Sequence, residues 1–346
     1  MPVKKKIGIE AFLELSSSVP IVDVRSPGEF KHGHIPGSYN IPLFTDEQRA
    51  EVGIKYNREG REKAIIKGLD LIGPSMSKKL SDALTLARNK KLLVHCWRGG
   101  MRSESMAWLF SLGGIEVEIL DGGYKSYRNF VLAKLSEKRR IIVLGGLTGS
   151  GKTEILKYLA STGTRVIDLE GLANHKGSAF GALGQEVQPT TEYFSNLVFN
   201  ELTKVSASEI VWVEDESLSI GTVFIPEQIY KQMQKAPLIA VLIDIKTRIP
   251  RLSAEYSTFP KTDLINSVQK IAKRLGGDNT SEAIMAIEAN DFERAIEITL
   301  KYYDKAYMYG LEKNSGRKVY LTESLSGDVK ENSEKVLETA MDIMWE

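Results

Sequence analysis

Gly146-Leu147-Thr148-Gly149-Ser150-Gly151-Lys152-Thr153 follows the apolar run 141–144 and leads into a helix-like stretch, and that order decides the fold. A strand, a glycine-rich turn and a helix in succession make the phosphate loop of α/β proteins. The glycines let backbone N–H groups wrap a phosphate, Lys152 reaches its outer oxygens, and Thr153 can place its hydroxyl on a magnesium ion. Gly146, Thr148, Gly149, Ser150, Gly151, Lys152 and Thr153 are therefore the phosphate-binding candidates. A chance glycine-rich turn is the competing reading, and the complete motif in the required context argues against it.

Downstream, Ile210-Val211-Trp212-Val213-Glu214-Asp215-Glu216 reads as a buried strand ending in carboxylates, as expected of an acid near a phosphate-bound metal. Glu214 and Asp215 are the candidates, with Thr153 and Asp215 as the place for a magnesium ion, and carboxylates that are only solvated at a strand end are the competing reading. A further apolar strand at 238–243 leads to Asp244, Lys246, Arg248 and Arg251. Their positions suit an arginine-bearing lid over phosphates, and equally a helix with a solvated basic face. The last hundred residues read as helical, with segments at 271–275, 281–287, 292–301 and 333–345. Tyr302-Tyr303-Asp304-Lys305-Ala306-Tyr307 places aromatics beside charges there, suited to a core, an interface or stacking on bases.

Upstream, strand-like and helix-like segments alternate at 21–24, 77–88, 92–94, 103–112, 117–120 and 124–135, which predicts a mostly parallel sheet. The charged stretch Ser136-Glu137-Lys138-Arg139-Arg140 separates the halves, giving domains at 1–136 and 137–346. The first half has an anion loop of its own, His95-Cys96-Trp97-Arg98-Gly99-Gly100-Met101-Arg102-Ser103, with the single cysteine of the 346 residues. A loop between a strand end and a helix N-terminus aims several N–H groups at one spot, which lowers a thiol's pKa and holds an anion beside it. Cys96 is the candidate nucleophile, Arg98 and Arg102 the anion-binding side chains, and Trp97, Gly99, Gly100 and Met101 the rest of the cradle. A buried structural cysteine is the alternative. His95, at a strand end, reads as a structural residue before a catalytic one.

Composition bounds these readings. With 42% hydrophobic and 26% charged residues the chain is typical of a soluble globular protein, and no apolar run approaches a membrane span. Met1-Pro2-Val3-Lys4-Lys5-Lys6 is not followed by the apolar core of a secretory signal, so the cytoplasm is the expected address. One cysteine excludes an intramolecular disulfide framework and a cysteine zinc cluster, and four scattered histidines show no metal site. A net charge of +1 neither supports nor excludes nucleic acid binding.

Asp23-Val24-Arg25-Ser26-Pro27-Gly28-Glu29-Phe30, then His32-Gly33-His34-Ile35-Pro36-Gly37, resembles the N-terminal signature of rhodanese domains, as do the Cys96 loop and Asp121-Gly122-Gly123-Tyr124. The resemblance covers the first half. Five residues separate Cys96 from Arg102 where ordinary rhodaneses have four, so the loop is also similar to the Cys-x5-Arg cradle of phosphatases and suits a tetrahedral anion. The connection 44–73 is longer than in a plain rhodanese, and Arg49, Lys55, Tyr56, Arg58, Arg61 and Lys63 make it read as a basic insertion.

Adding the phosphate loop, Asp168-Leu169-Glu170-Gly171-Leu172-Ala173-Asn174-His175-Lys176-Gly177, Glu214-Asp215-Glu216-Ser217, Arg274-Leu275-Gly276-Gly277 and Tyr302-Tyr303-Asp304, the whole chain resembles the bacterial tRNA 2-selenouridine synthases. The resemblance implies an α/β protein with an N-terminal rhodanese-like domain, a C-terminal P-loop NTPase-like α/β domain and a helical C-terminal region. It implies a transferase that replaces sulfur by selenium in wobble-position 2-thiouridine of tRNA. Selenophosphate would be the donor, Cys96 the carrier as selanyl-cysteine, and phosphate the product held by Arg98 and Arg102. A geranylated thiouridine intermediate would be made from geranyl diphosphate bound at the phosphate loop, with Asp168, Asn174 and His175 toward the substrate. A selenophosphate-supplying enzyme is the expected partner. A sulfurtransferase fused to an NTPase, a Cys-x5-Arg phosphatase and a nucleotide-switched binding module remain as alternatives. The lone cysteine disfavours sulfur delivery that ends in an internal disulfide.

Overall fold

The computed structural model describes residues 5–313, 316–324 and 326–343. Contacts divide the chain into two units, Met1–Leu135 and Ser136–Glu346. Each is built around its own parallel sheet, as continuous apolar strands such as Leu92-Leu93-Val94 require, because helices must cover both faces of such a sheet.

The first unit contains β1 (Lys5–Ile7), β2 (Ile21–Asp23), β3 (Tyr39–Asn40), β4 (Lys91–His95) and β5 (Glu116–Leu120). Their order is β1-β5-β4-β2-β3, all parallel, with Asp23 in register with His95. From β2 the chain runs to β3 on one side, and from β4 to β5 on the other. The loops after β2 and β4 therefore diverge and leave a crevice at the carboxyl ends. Helices Met76–Leu86, Met101–Leu112 and Gly123–Leu135 stand where the apolar spacing predicts them, each boundary shifted by at most two residues. Phe110, Ile115 and Ile119 centre the core.

The connection 44–73 is a helical hairpin, Asp46–Glu59 and Arg61–Ile72, broken at Gly60 with φ 87°. Thr45 caps its first helix through a reciprocal pair with Gln48. Its expected basic character does not hold. Six acidic side chains (Asp46, Glu47, Glu51, Glu59, Glu62, Asp70) match six basic ones in this stretch, and Lys55 and Lys67 pair with Glu59 and Glu51. The first helix buries none of its residues.

The second unit contains β6 (Arg140–Gly146), β7 (Arg165–Ile167), β8 (Ile210–Glu214), β9 (Ser219–Ile220), β10 (Val223–Phe224), β11 (Leu238–Ile243) and β12 (Val319–Ser324). The main sheet runs β12-β11-β6-β8-β7, again all parallel, and β9 and β10 form a separate antiparallel ribbon. β12 corrects the all-helical expectation for the C-terminal part. It is an edge strand whose apolar Val319, Tyr320 and Leu321 stay half-buried or exposed while Thr322 and Ser324 are buried, so its apolar pattern does not mark a buried strand, and its pairing with β11 places it. Helix Phe292–Lys313 runs a dozen residues past the expected end at 301 and carries Tyr302, Tyr303 and Tyr307. The last helix is Val329–Met341. Trp345, in the expected 333–345 segment, and Met1 to Lys4 lie outside the described residues. Among the described residues no helix is long and apolar enough to cross a membrane.

Candidate functional site

Cys96 follows directly on β4 and is buried, with its Sγ 3.3 Å from the hydroxyl of Ser103 on the helix that follows. Ser103 donates to the carbonyl of Gly100 at 2.9 Å, so its lone pairs face the sulfur. The loop is clamped by the turn after β5: Tyr124 N–H donates to the Cys96 carbonyl at 2.8 Å and Lys125 N–H to that of Trp97 at 3.0 Å. A side chain on Gly99 or on Gly123, both at positive φ, would collide with backbone of the other loop. Those two glycines fit because the loops touch backbone to backbone. The first-turn amides of helix Met101–Leu112 have no carbonyl one turn back to bind, which leaves donors beside Cys96 for an anion.

The rhodanese-like signature is structural. Arg25, 1% exposed, grips Asp23 through Nε and Nη2 at 2.6–3.0 Å, donates to the Gly33 carbonyl at 2.6 Å, and lies 3.8 Å over the Tyr124 ring. His95 is fully buried, and neither ring nitrogen has a hydrogen-bond partner. Burial pushes its pKa below the usual histidine value despite Asp23, so it packs as a neutral ring against Phe12 and Tyr124.

Of the two arginines in the loop, Arg98 is exposed and Arg102 is held. Arg102 Nη1 donates to Glu29 at 2.8 Å, and Arg49 of the hairpin donates to the same carboxylate at 2.9 Å. Burial works against the Glu29 carboxylate, but Arg102 first, then the Ser26 N–H and Arg49, outweigh it and hold its pKa below the usual value. Glu29, Arg49, Ser26 and Trp97 border a crevice of about 350 Å³ at the carboxyl ends of β2 and β4.

In the second unit the phosphate loop joins β6 to helix Lys152–Ser161, with Gly146, Gly149 and Gly151 at positive φ. Lys152 Nζ donates to the Gly146 carbonyl at 3.1 Å, and Ser150 Oγ is buried with no hydrogen-bond partner. Thr153 Oγ1 lies 3.1 Å from Glu170. Thr148 offers its carbonyl to Arg248, and that contact settles the arginine's place. Arg248 is buried, donates to Thr148 and Ile243 carbonyls, and pairs with both oxygens of Asp304 at 2.6 and 3.0 Å. It buttresses the loop from beneath and is not a mobile lid side chain. Arg251 stands against Gly151 and pairs with Glu154 at 2.6 Å, so it remains at the phosphate face.

The carboxylates separate by strand period. Glu214 and Glu216 share a face of the β8 extension, and Asp215 points to the other. Asp215 pairs with Arg317 at 2.9 Å and accepts from the Tyr307 hydroxyl at 3.5 Å, which removes it from the expected magnesium site. Glu214 is fully buried and accepts from Leu169 N–H at 2.9 Å. Burial, then Asp168 and Glu170, push its pKa well above the usual value. Glu216 is likewise raised by burial and by a shared hydrogen bond with Glu170, beside Lys152. Glu170, Glu216 and the Thr153 hydroxyl are oxygen donors of the kind that would suit a magnesium ion. Among the described residues no group of three or more His, Cys, Asp and Glu side chains forms a metal site.

Asp168 caps helix Leu169–Ala173 by accepting from Gly171 N–H at 2.6 Å. Asn174 ends that helix at φ 50°, its side chain on the Val187 carbonyl. His175 is buried, with Nδ1 unpartnered; burial, then Lys270, lowers its pKa. Sequence reasoning passed over Glu29, Ser103, Glu170 and Glu216. Period-two counting on 214–216 was the available signal for Glu216, and nothing local marked Glu29, 73 residues from its partner.

Residues 139–339 match the family model described as the tRNA 2-selenouridine synthase AAA domain, and residues 9–130 match the rhodanese-like domain model. Three curated proteins carry the name tRNA 2-selenouridine synthase and align along the chain. That of Psychromonas ingrahamii is 31% identical over 332 residues, covering 86% of this chain and 89% of that protein. That of Shewanella frigidimarina is 32% identical, covering 87% and 91%. That of a Sulfurovum species is 33% identical, also covering 87% and 91%.

Proposed function

The chain belongs to the tRNA 2-selenouridine synthase family, and from that premise we propose that it replaces sulfur by selenium in a wobble-position 2-thiouridine of tRNA. The observation that carries the proposal is the pairing of a clamped cysteine loop with a complete phosphate loop in a chain that its relatives match over 86–87% of its length.

Cys96 takes selenium from selenophosphate as a selanyl-cysteine. In a transfer to the thiolate the S–Se bond forms and the P–Se bond breaks, with its electron pair left on phosphorus. The departing anion is then phosphite, where the sequence reading expects phosphate. Attack of water at phosphorus gives phosphate and free selenide instead, so the phosphorus product identifies the step. The first-turn amides and Arg102 receive the anion, and Glu29 is displaced from Arg102 as it binds.

The phosphate loop binds the diphosphate of a geranyl donor through its amides, Lys152 and Arg251, and the thiouridine sulfur takes the geranyl group as diphosphate leaves. Thr153, Glu170 and Glu216 are the residues to hold a magnesium ion, which would supply charge neutralisation for the diphosphate. The alkylated sulfur is then a leaving group. As C2–Se forms, C2–S breaks, and the alkylthiolate departs with the electron pair and takes a proton. An external thiolate then attacks the Cys96 sulfur, forming S–S as S–Se breaks with its electron pair on the selenouridine, and a second external thiol frees Cys96 as an external disulfide, because the chain has no second cysteine to form an internal one.

Nucleoside mass spectrometry on 2-thiouridine tRNA incubated with the protein, selenophosphate and geranyl diphosphate tests the reading. The expected product is 2-selenouridine; its absence with a properly thiolated tRNA rejects it.

A further inference from the structure

An open cleft of about 900 Å³ lies between the two helices of the 44–73 hairpin and the first turns of helix Met101–Leu112. Its walls are mainly apolar, and Ile54, Ile65, Leu69 and Met101 on them are between 37% and 58% exposed. A contiguous apolar surface of this kind marks a binding site.

Two helix-interior glycines, Gly53 and Gly68, face the cleft. Neither has a positive φ, so no turn requires a glycine there, and each weakens its helix relative to alanine. A Cβ on Gly53 would meet nothing within 4 Å, and one on Gly68 would press on the Phe44 ring at 3.3 Å. Their effect is to keep the cleft wide.

The cleft is continuous with the cysteine loop. Met101, Arg102 and Ser105 face it, and Ser103, between them on the same helix, turns inward to Cys96. Arg49, Arg61 and Arg102 bring positive charge to otherwise apolar walls. That combination suits an aliphatic chain attached to a polyanion.

We propose that this cleft binds the hydrocarbon chain of an S-alkylated 2-thiouridine in tRNA, with the sulfur end toward Cys96. The inference rests on the proposed function for the identity of the RNA, and adds the place of the chain and the reason for the long insertion. Apolar walls then set a preference for long alkyl groups, since each methylene buried adds to binding.

The test is binding of anticodon stem-loops carrying S-geranyl or S-methyl 2-thiouridine to the full-length protein, by fluorescence anisotropy, with selenium incorporation followed in parallel. Wild type is expected to bind the geranyl RNA at least about tenfold more tightly than the methyl RNA. Gly53→Phe, which fills the cleft and replaces glycine by a better helix former, and Leu69→Asn, which makes a wall polar, are expected to bring that ratio near one. Thermal melting checks that both variants fold. Equal binding of the two RNAs by wild type, or a ratio that survives both substitutions in folded protein, overturns the proposal. A cleft-dependent ratio without selenium incorporation upholds the cleft and rejects the selenation reading instead.

Discussion

The two anion loops follow one plan and differ in what holds their cations. Each joins the carboxyl end of a central parallel strand to a helix N-terminus, with positive-φ glycines where backbone meets backbone or a packed side chain. In the cysteine loop the cation is Arg102, neutralised by a carboxylate from another segment, Glu29. In the phosphate loop it is Lys152, which rests on a neutral carbonyl near the buried carboxyl of Glu216. Under the proposed function the first loop would exchange one anion for another, and its affinity is expected to depend on Glu29. Under the same function the second would gain an anion and a cation together, and its affinity is expected to depend on magnesium. A shared backbone design thus leaves the charge logic to side chains from elsewhere in each unit.

The strongest way to break the comparison is to remove the group that makes the loops chemically different. Cys96→Ser is expected to lower 2-selenouridine formation by roughly 10³-fold or more, while geranylation of thiolated tRNA continues. Nucleoside mass spectrometry reads both products in one digest, and normal selenation in the variant would refute a covalent role. Lys152→Ala is the converse, with geranylation expected to fall by about 10²-fold. Selenium loading on Cys96, seen in the intact protein mass after exposure to selenophosphate, is expected to persist; loss of both steps together would contradict separate roles.

A smaller change sharpens the comparison within the first loop. Arg102→Ala is expected to weaken binding of selenophosphate by about tenfold, and Glu29→Gln to strengthen it by roughly threefold, because the anion no longer competes with a carboxylate. Isothermal titration of the two variants against wild type gives both signs. Weaker binding in Glu29→Gln would show that Glu29 positions Arg102 for the anion.

The least change is expected from the acid pair of the second loop. The Glu216 pKa is raised in the folded protein, so the native state holds more protons than the unfolded one above the ordinary carboxyl value of 4.5. Stability is therefore full below about 4.5 and falls as pH rises toward the raised folded value. Glu216→Gln is expected to flatten that slope and raise the melting temperature at neutral pH by roughly 2–4 °C. A lower melting temperature in the variant would mean that the carboxylate is needed ionised. Magnesium with diphosphate is expected to stabilise wild type and to do so less in Glu216→Gln.

How much of this was legible varies with the range of the forces involved. The strands 92–94 and 238–243 and both glycine loops could be read because burial and turn geometry act within a few residues. β12 could not, since its place comes from pairing with β11 more than 70 residues away. Arg248 and Asp215 were read as ligands from their position after strands. The structure gives each a buried or half-buried partner, Asp304 and Arg317, from the C-terminal part of the chain. The insertion was read by its basic residues, and its acids and its apolar cleft-facing side chains turned out to define it.

Local periodicity, glycine conformation and composition suffice for the two parallel-sheet units, the position of each loop at a strand end, and Cys96 as the sole thiol. Only the tertiary structure decided which charges are free to act. Ion pairs such as Arg102–Glu29 and Arg248–Asp304 join residues 73 and 56 positions apart. Charge is a property of a residue, but its availability belongs to the neighbours that folding supplies.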